Sequence, residues 1–323
     1  MSLPAGATFL RMTGLGSDVV RTVRDAVVRA LSPHDRVVLA VSGGADSMVM
    51  LDAARDARSE LVVATFDHGT GPAAKGAADL VRRRCGELGL RCVSGDAARK
   101  GTTEEAWRRQ RWDFLRRVAE GAGAVVATAH TLDDHVETVF MRILRDAGPR
   151  GLAGLNARTD VVRPMLGTRR ADVIAYAAAA PVEYVDDPSN VRREHLRNRI
   201  RLDLLPAISA ARPAFAGELL DIAVRAAEWR EEVAAAVDHI GTKAHADGSL
   251  YVARRALEPY DQRELAILWP EIAARARVTM DRRGTHRVAA FTIDGATGSS
   301  IQLSGGIEVV RTREHFVLRR RSA

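Results

Sequence analysis

Hydrophobic residues recur along this chain in two alternating patterns. Short unbroken apolar runs predict strands that are buried on both faces, and longer stretches with apolar residues at helical spacing predict the helices between them. The strands predicted in the first two thirds of the chain are residues 37–41, 61–66, 91–94 and 124–128, with an edge strand at 161–163 before Pro164. This alternation predicts an α/β fold with an open parallel, Rossmann-like sheet, whose ligands bind beyond the carboxyl ends of the strands.

The pattern changes beyond Pro213. A long amphipathic helix is predicted there from the spacing of Ile222, Ala226, Trp229, Val233, Val237 and Ile240. Such a helix is compatible with an interdomain linker or with one half of a homodimer contact. Apolar runs on both sides of a Gly305-Gly306 turn then predict strands of a small α+β domain. We therefore expect a first domain over residues 1–212, and a helical linker with a C-terminal domain over residues 213–323.

Composition and charge narrow the class of protein. The 323 residues are 46% hydrophobic and 28% charged, as in soluble globular proteins, and the formal net charge is +7. The basic residues are nearly all Arg, which favours a nucleic-acid partner, although a compositional bias towards Arg would give the same charge. Cys85 and Cys92 lack metal-ligand spacing and are expected to be packed thiols. No apolar run is long enough to cross a membrane and no leader segment is evident, which predicts a cytoplasmic protein.

The first candidate site follows the strand at residues 37–41. The chain there reads Ser42-Gly43-Gly44-Ala45-Asp46-Ser47 and continues into a predicted helix. Backbone N–H groups of such a loop, with the helix N-terminus, favour a bound phosphate, and the Ser hydroxyls add donors. Asp46 is the type of residue that holds Mg²⁺ beside phosphates. A Gly-Gly turn alone is explained equally well as a simple strand-to-helix connection.

The second candidate site follows the strand at residues 124–128. It reads His130-Thr131-Leu132-Asp133-Asp134-His135-Val136-Glu137-Thr138, where Thr131 and Asp134 have the spacing of a capping box. Asp133 and Glu137 share one helical face. These acids either only cap the helix or, being paired opposite a phosphate loop, bind Mg²⁺ and substrate.

Two further positions carry charge that a ligand could use. Asp67 ends the second predicted strand, where a mononucleotide-binding sheet places an acid for a ribose hydroxyl; the alternative is that it caps a turn. Arg197 and Arg201 lie one helical turn apart, so they either face phosphates or form a solvated charged surface.

Taken in order, these motifs resemble those of the tRNA(Ile)-lysidine synthetases, which are N-type ATP pyrophosphatases. The resemblance runs from Arg36 to Pro206. Besides the two motifs it includes Asp67-His68-Gly69, the arginines Arg108 and Arg111 before Trp112, R-P-x-L-G at 163–167, D-P-S-N at 187–190 and R-N-x-I-R at 197–201. The loop also differs from a kinase-type P-loop, because no Lys follows its glycines.

The resemblance implies a reaction and a set of residue roles. Members of this family join L-lysine to C2 of the wobble cytidine in the isoleucine tRNA with a CAU anticodon, and they convert ATP to AMP and pyrophosphate. The resemblance implies that Asp46, Asp133 and Asp134 hold Mg²⁺, that Arg108 or Arg111 stabilises the transferring phosphoryl group, and that Asp134 or Glu137 is the base. ATP would contact Ser42, Gly43, Gly44, Ala45, Asp46, Ser47, Asp67 and His130, and tRNA would contact Arg197, Arg199 and Arg201.

Two departures and three alternatives accompany the resemblance. Thr131 stands where the family usually has His, and Gly69-Thr70-Gly71 stands where Gly-Leu-Arg is usual. A tRNA thiolation enzyme would share the ATP loop but needs a catalytic cysteine pair. A small-molecule adenylating synthetase would not need the Arg-rich second half, and a non-catalytic RNA-binding protein would not need Asp46 and Asp133.

Overall fold

Two sheets organise the part of the chain that this computed structural model describes, residues 6–67, 69, 71–97, 104–157, 159–186 and 193–320. The first sheet is parallel and has the strand order β3-β2-β1-β4-β5. Its strands are β1 (Arg36–Ala40), β2 (Glu60–Asp67), β3 (Arg91–Asp96), β4 (Val125–Thr128) and β5 (Val161–Val162). The predicted open parallel sheet is confirmed, and its strand order changes direction where β1 meets β4, which is where such sheets bind ligands.

Helices precede, separate and follow the strands of this sheet. They are α1 (Gly6–Leu31), α2 (Ala45–Ala54), α3 (Pro72–Leu88), α4 (Glu104–Ala122), α5 (Leu132–Leu144), α6 (Pro149–Leu152), α7 (Arg170–Ala179), α8 (Leu196–Arg199), α9 (Leu205–Ala211) and α10 (Phe215–Ile240). Alternate residues of β1 serve the two faces: Val37 and Leu39 pack with α1, α2, α3 and α7, whereas Val38 packs with α4. The unbroken apolar run of β1 is explained by this burial on both faces.

A π turn at Ile200–Leu204 joins α8 to α9, and a short 3₁₀ turn at Gly154–Asn156 follows α6. The apolar residues around the π turn are Leu196, Ile200, Leu205 and Ile208, all of which pack in one cluster with α5. Their spacing of four, five and three residues would not form one face of a regular α-helix. The π turn, closed by the bond from Leu205 N–H to the Ile200 carbonyl, brings them back to the same side.

The chain divides into two compact units, residues 1–224 and 225–323. The division lies inside α10, whereas the predicted boundary at 212/213 precedes this helix. The first half of α10 supplies Leu219 and Ala223 to the cluster with α5, so it belongs with the first unit.

The second unit, as far as the structure describes it, is an antiparallel sheet with the second half of α10 and three further helices. Its strands, in the order β6-β7-β10-β9-β8, are β6 (Thr242–Ala244), β7 (Leu250–Ala253), β8 (Ser300–Leu303), β9 (Ile307–Arg311) and β10 (His315–Arg320). The helices are α11 (Arg254–Leu257), α12 (Gln262–Arg275) and α13 (Arg282–Asp294), and the core surrounds the fully buried Trp269. The predicted small α+β domain is confirmed. None of the helices in the described residues is long and apolar enough to cross a membrane.

Candidate active site

At one position of the loop between β1 and α2, the backbone has a conformation that only glycine adopts without strain. Gly43 has φ of 87°, and a Cβ there would lie 2.8 Å from both Cβ and the carbonyl oxygen of Ala77 on α3. Ser47 Oγ donates to the carbonyl of Gly44 at 2.9 Å and accepts the N–H of Ser42 at 3.1 Å. The Ser47 hydroxyl therefore holds the shape of the loop, while the first N–H groups of α2 lack partners within the helix and are suited to an anion.

Asp46 lies in the first turn of α2, directly after these glycines. Its Oδ2 accepts a hydrogen bond from Nη1 of Arg170 at 2.8 Å, whereas its Oδ1 is buried and has no hydrogen-bond partner among the described residues. Burial raises the pKa of the Asp46 carboxyl, against the lowering effect of Arg170. A buried carboxylate oxygen without a partner costs free energy unless a ligand supplies one. Asp46 is therefore arranged to accept a cation.

Asp133, in the first turn of α5, faces the same residue. Its Oδ2 accepts the backbone N–H of Arg170 at 2.7 Å, so one residue at the N-terminus of α7 connects the acids of both motifs. Arg170 is not among the site residues predicted from the sequence. The available signal was its position, three residues beyond the R-P-x-L-G segment.

Asp134 and Glu137 belong instead to a hydrogen-bond network in which each carboxylate oxygen has a partner. The capping box predicted for Thr131 and Asp134 is present: Oδ2 of Asp134 accepts the N–H and the hydroxyl of Thr131, each at 2.9 Å. Its Oδ1 accepts from Arg197 at 2.8 Å and from Arg201 at 3.3 Å. Burial alone would raise the pKa of Asp134, but Arg197 and the bonds from Thr131 lower it.

Glu137 completes this network from one turn further along α5. It is 2% exposed; Oε2 accepts from Arg197 at 2.8 Å and from Arg201 at 3.0 Å, and Oε1 accepts from Nε of Arg201. Arg197 and Arg201, which were expected to contact tRNA, are thus paired with Asp134 and Glu137. These two acids were expected to bind metal or to transfer a proton. The third arginine of that segment, Arg199, is exposed. The expected roles in tRNA contact, metal binding and proton transfer stay predictions. The hydrogen bonds between these residues do not favour those roles.

A group of arginines surrounds His130, at the end of β4. Burial lowers the pKa of His130 to about 4, and the charges of Arg163, Arg197 and Arg111 add to this effect. His130 is therefore neutral near pH 7, and its Nδ1 lies 2.9 Å from Oγ1 of Thr128. Arg111 is itself affected: burial and the neighbouring Arg108 lower its pKa, and its Nε has no hydrogen-bond partner in the described part of the chain. This excess of positive charge suits an anionic substrate.

Of the remaining residues predicted to contact ligands, the structure describes Asp67, at the end of β2. Oδ1 of Asp67 accepts the N–H of Gly69 at 2.8 Å, which is the turn-capping alternative; a ribose contact through the other oxygen stays a prediction. His68 and the D-P-S-N segment at 187–190 lie outside the described residues. The backbone of Val185 reaches the loop, where its N–H donates to the carbonyl of Gly43 at 2.9 Å.

The acids can be tested for their fit to Mg²⁺. Across the ranges that the structure describes, no group of three or more His, Cys, Asp or Glu side chains has the arrangement of a metal site. Mg²⁺ bound with a nucleotide needs only one or two carboxylates, since phosphates and water supply the other ligands. Asp46, with its unpartnered Oδ1, and Asp133 fit this requirement. Asp134 fits it less well, because both of its oxygens already accept two hydrogen bonds.

Comparisons with known proteins agree with this geometry. A family model described as a PP-loop domain matches residues 17–208. Among solved structures, a U34-tRNA thiolase of Methanococcus maripaludis is similar with a TM-score of 0.53 at 16% identity, over 66% of this chain and 80% of that chain. At this identity the likeness concerns the fold alone. Sheet, loop and family match together define a PP-loop protein, a class of ATP-using enzymes.

Curated relatives make the assignment narrower. A tRNA(Ile)-lysidine synthase of Salinispora tropica is 32% identical over 312 residues, which cover 90% of this chain and 92% of that protein. Another, of Symbiobacterium thermophilum, is 37% identical over 206 residues, but the match covers 58% of this chain and only 43% of the relative. The chain belongs to the tRNA(Ile)-lysidine synthase family.

Proposed function

We propose that this protein ligates L-lysine to C2 of the wobble cytidine in the CAU-anticodon isoleucine tRNA, with conversion of ATP to AMP and pyrophosphate. The observation that carries the proposal is the meeting of the Ser-Gly loop, Asp46 and Asp133 at the point where the strand order changes direction. The relative that matches over 90% of the chain supports the choice of acceptor and amine.

The reaction would need two displacements. The cytidine O2 forms a bond to the α-phosphorus of ATP while the bond to the β-phosphate oxygen breaks, and pyrophosphate leaves. The lysine Nε then bonds to C2, the C2–O bond breaks, AMP leaves and the amine gives up a proton. The free amine has a pKa of about 10.4, so it must reach the site deprotonated or lose its proton there.

The residues of the chain support the first displacement. The N–H groups at the start of α2 would bind the pyrophosphate oxygens, and Asp46 with Asp133 would hold Mg²⁺, which neutralises charge on the transferring phosphoryl group when bound. Arg111 is close enough to His130 to affect its pKa, and Arg108 is close to Arg111. Both arginines carry the predicted role of stabilising the same charge. The neutral His130 would accept or donate a hydrogen bond without adding charge.

The contacts of Asp134 and Glu137 favour a supporting role over that of a base. The pKa of Asp134 is lowered by Arg197 and by the bonds from Thr131, which makes this carboxylate a weak proton acceptor. Both oxygens of Glu137 are already occupied by hydrogen bonds from Arg197 and Arg201. We propose that the two acids keep Arg197 and Arg201 at the edge of the site.

A tRNA thiolation activity is the main alternative in this class. The solved relative with that title contains a [4Fe-4S] cluster, whereas this chain has two cysteines. Cys85 lies near the end of α3 and Cys92 near the start of β3, at the amino edge of the sheet, opposite the candidate active site. Their position does not favour thiolation.

One experiment separates these activities. The purified protein is incubated with ATP, lysine and isoleucine tRNA, with one component left out in turn, and the products are measured together with the nucleoside composition of the tRNA by mass spectrometry. We expect AMP, pyrophosphate and a lysine-bearing cytidine only in the complete mixture. ADP as the main product, or a sulfur-containing nucleoside, would contradict the proposal.

A further inference from the structure

Arg170 contacts the acids of both motifs, although it lies 124 residues from Asp46 in sequence. It is the first residue of α7, so its backbone N–H points out of the helix end, towards Asp133, at 2.7 Å. Its side chain turns to Asp46 through one nitrogen, Nη1, at 2.8 Å. This contact is single and not the stronger bidentate kind, and the Arg170 side chain is 35% exposed.

The position of α7 relative to α2 is fixed further along both helices. Tyr176 on α7 is fully buried and donates its hydroxyl hydrogen to Oδ2 of Asp52 on α2, at 2.8 Å. Asp52 is also paired with Arg84 of α3, at 3.1 Å. Because Asp46 and Asp52 share α2, the backbone of Arg170 is held at a constant place beside Asp46, while its partly exposed side chain has room to move.

Asp46 and Asp133 are the two acids that fit Mg²⁺, and Arg170 places its positive charge on Asp46 while it gives Asp133 only its backbone N–H. A cation that reached Asp46 would compete with the guanidinium for Oδ2 and would also satisfy the unpartnered Oδ1. A guanidinium released there would face the anion-binding N-terminus of α2, where Arg binds phosphate oxygens well.

We propose that the Arg170 guanidinium holds the place of the divalent cation beside Asp46 in the ligand-free protein, and that it moves to a phosphate oxygen of the nucleotide when the cation binds. This inference rests on the proposed function only in one respect, which is that the ligand is a nucleotide. Arg170 is thereby a positioning residue in the free protein and a nucleotide contact in the loaded one.

The test uses the full chain with Arg170→Met, which keeps the apolar stem and removes the charge. The matched control is Arg169→Met, because Arg169 is the exposed neighbour that precedes the helix. Binding of Mn²⁺ alone is measured by electron paramagnetic resonance, without nucleotide. We expect Mn²⁺ to bind about tenfold more tightly to Arg170→Met than to the native chain, since the competing charge is gone, and to bind unchanged to the control.

A second measurement uses α,β-methylene-ATP with Mg²⁺, and the expected change in affinity has the opposite sign. We expect the analogue to bind about tenfold more weakly to Arg170→Met, because a phosphate contact is lost. If Mn²⁺ binding were weakened or unchanged by the substitution, Arg170 would only support the acids, and the proposal would be overturned. Unchanged analogue binding would overturn the phosphate contact.

A third variant guards against loss of folding. Arg170→Lys keeps a charge that pairs with Asp46 through a shorter reach, and we expect Mn²⁺ affinity between that of the native chain and that of Arg170→Met. If Arg170→Met does not fold by circular dichroism, the Lys variant decides: native-like Mn²⁺ and analogue affinities overturn the proposal. None of these measurements uses tRNA or lysine. A protein that binds Mn²⁺ and the analogue as expected but forms no lysine-bearing cytidine would contradict the proposed function and leave this inference intact.

Discussion

The loop at residues 42–47 and the helix α5 follow adjacent strands, β1 and β4, yet hydrogen bonds satisfy Asp46 of the loop much less completely than Asp134 and Glu137 of α5. In the loop, Asp46 keeps one buried carboxylate oxygen without a partner among the described residues. In α5, both oxygens of Asp134 and both of Glu137 accept hydrogen bonds. A satisfied network contributes rigidity, whereas an unsatisfied group in a folded protein marks the place where a ligand supplies the missing partner. We therefore expect Asp46 to bind a ligand, and Asp134 with Glu137 to form a supporting region.

The largest expected effect is on the supporting region. Glu137→Ala leaves the partly buried Arg197 and Arg201 without their main partner, and we expect the free energy of unfolding to fall by about 3 kcal/mol. Urea unfolding monitored by circular dichroism measures this. The control is Glu218→Ala, which breaks an exposed pair with Arg212 and should cost less than about 0.5 kcal/mol. Equal losses in the two variants would mean that the network does not stabilise the fold.

The second largest effect is expected on turnover and not on stability. Asp46→Asn should lower turnover by roughly a hundredfold or more, about 2.7 kcal/mol of transition-state stabilisation, because a metal ligand is lost. We expect the free energy of unfolding to stay within about 0.5 kcal/mol, since the buried carboxylate is already poorly satisfied. Steady-state pyrophosphate release and urea unfolding test both parts. A variant that lost stability but kept its rate would place Asp46 in the supporting class.

A third prediction separates two adjacent glycines of the loop. Gly43→Ala should destabilise the protein by about 2 kcal/mol, because φ is positive and the new Cβ would meet the α3 backbone. At Gly44 the backbone is ordinary, with φ of −78°, and the nearest atom to a Cβ is 3.9 Å away. Gly44→Ala should therefore change unfolding by less than about 0.5 kcal/mol. Thermal melts without nucleotide make the comparison, and similar shifts for the two variants would contradict it.

The smallest expected effect concerns pH. His130 has a lower pKa in the folded protein, about 4, than the 6.5 of an unperturbed His, so the unfolded chain binds the proton first as pH falls. Its contribution to stability is therefore lost between about pH 6.5 and pH 4. His130→Gln should reduce the loss of unfolding free energy between pH 7 and pH 4.5 by about 1 kcal/mol.

The same pH series with His34→Gln serves as the control. His34 lies in the turn before β1, away from the arginines that surround His130. An acid limb that is unchanged by His130→Gln, or equally changed by both substitutions, would show that His130 is not held neutral by its surroundings.

Local signals explain what the sequence predicts well. The run of apolar residues in β1, the glycines after it and the Thr131–Asp134 capping box all depend on neighbours within a few positions, and each is present. Short strands carry little signal: β6 has three residues, two of them exposed, and was not predicted. The contact of Arg170 with Asp46 depends on how α7 packs beside α2, which no pattern of nearby residues encodes. Likewise, helical spacing correctly placed Arg197 and Arg201 on one face but could not identify Glu137 as their partner.

The π turn at Ile200–Leu204 has a consequence for the length of this segment. It contains one residue more than the regular helix would need, so a chain without Leu202 would bring its apolar positions to intervals of four, four and three. Those intervals form a single stripe on an ordinary α-helix. We therefore expect the segment between Arg197 and Ile208 to tolerate the loss of one residue, because a regular helix would then direct the same side chains to α5.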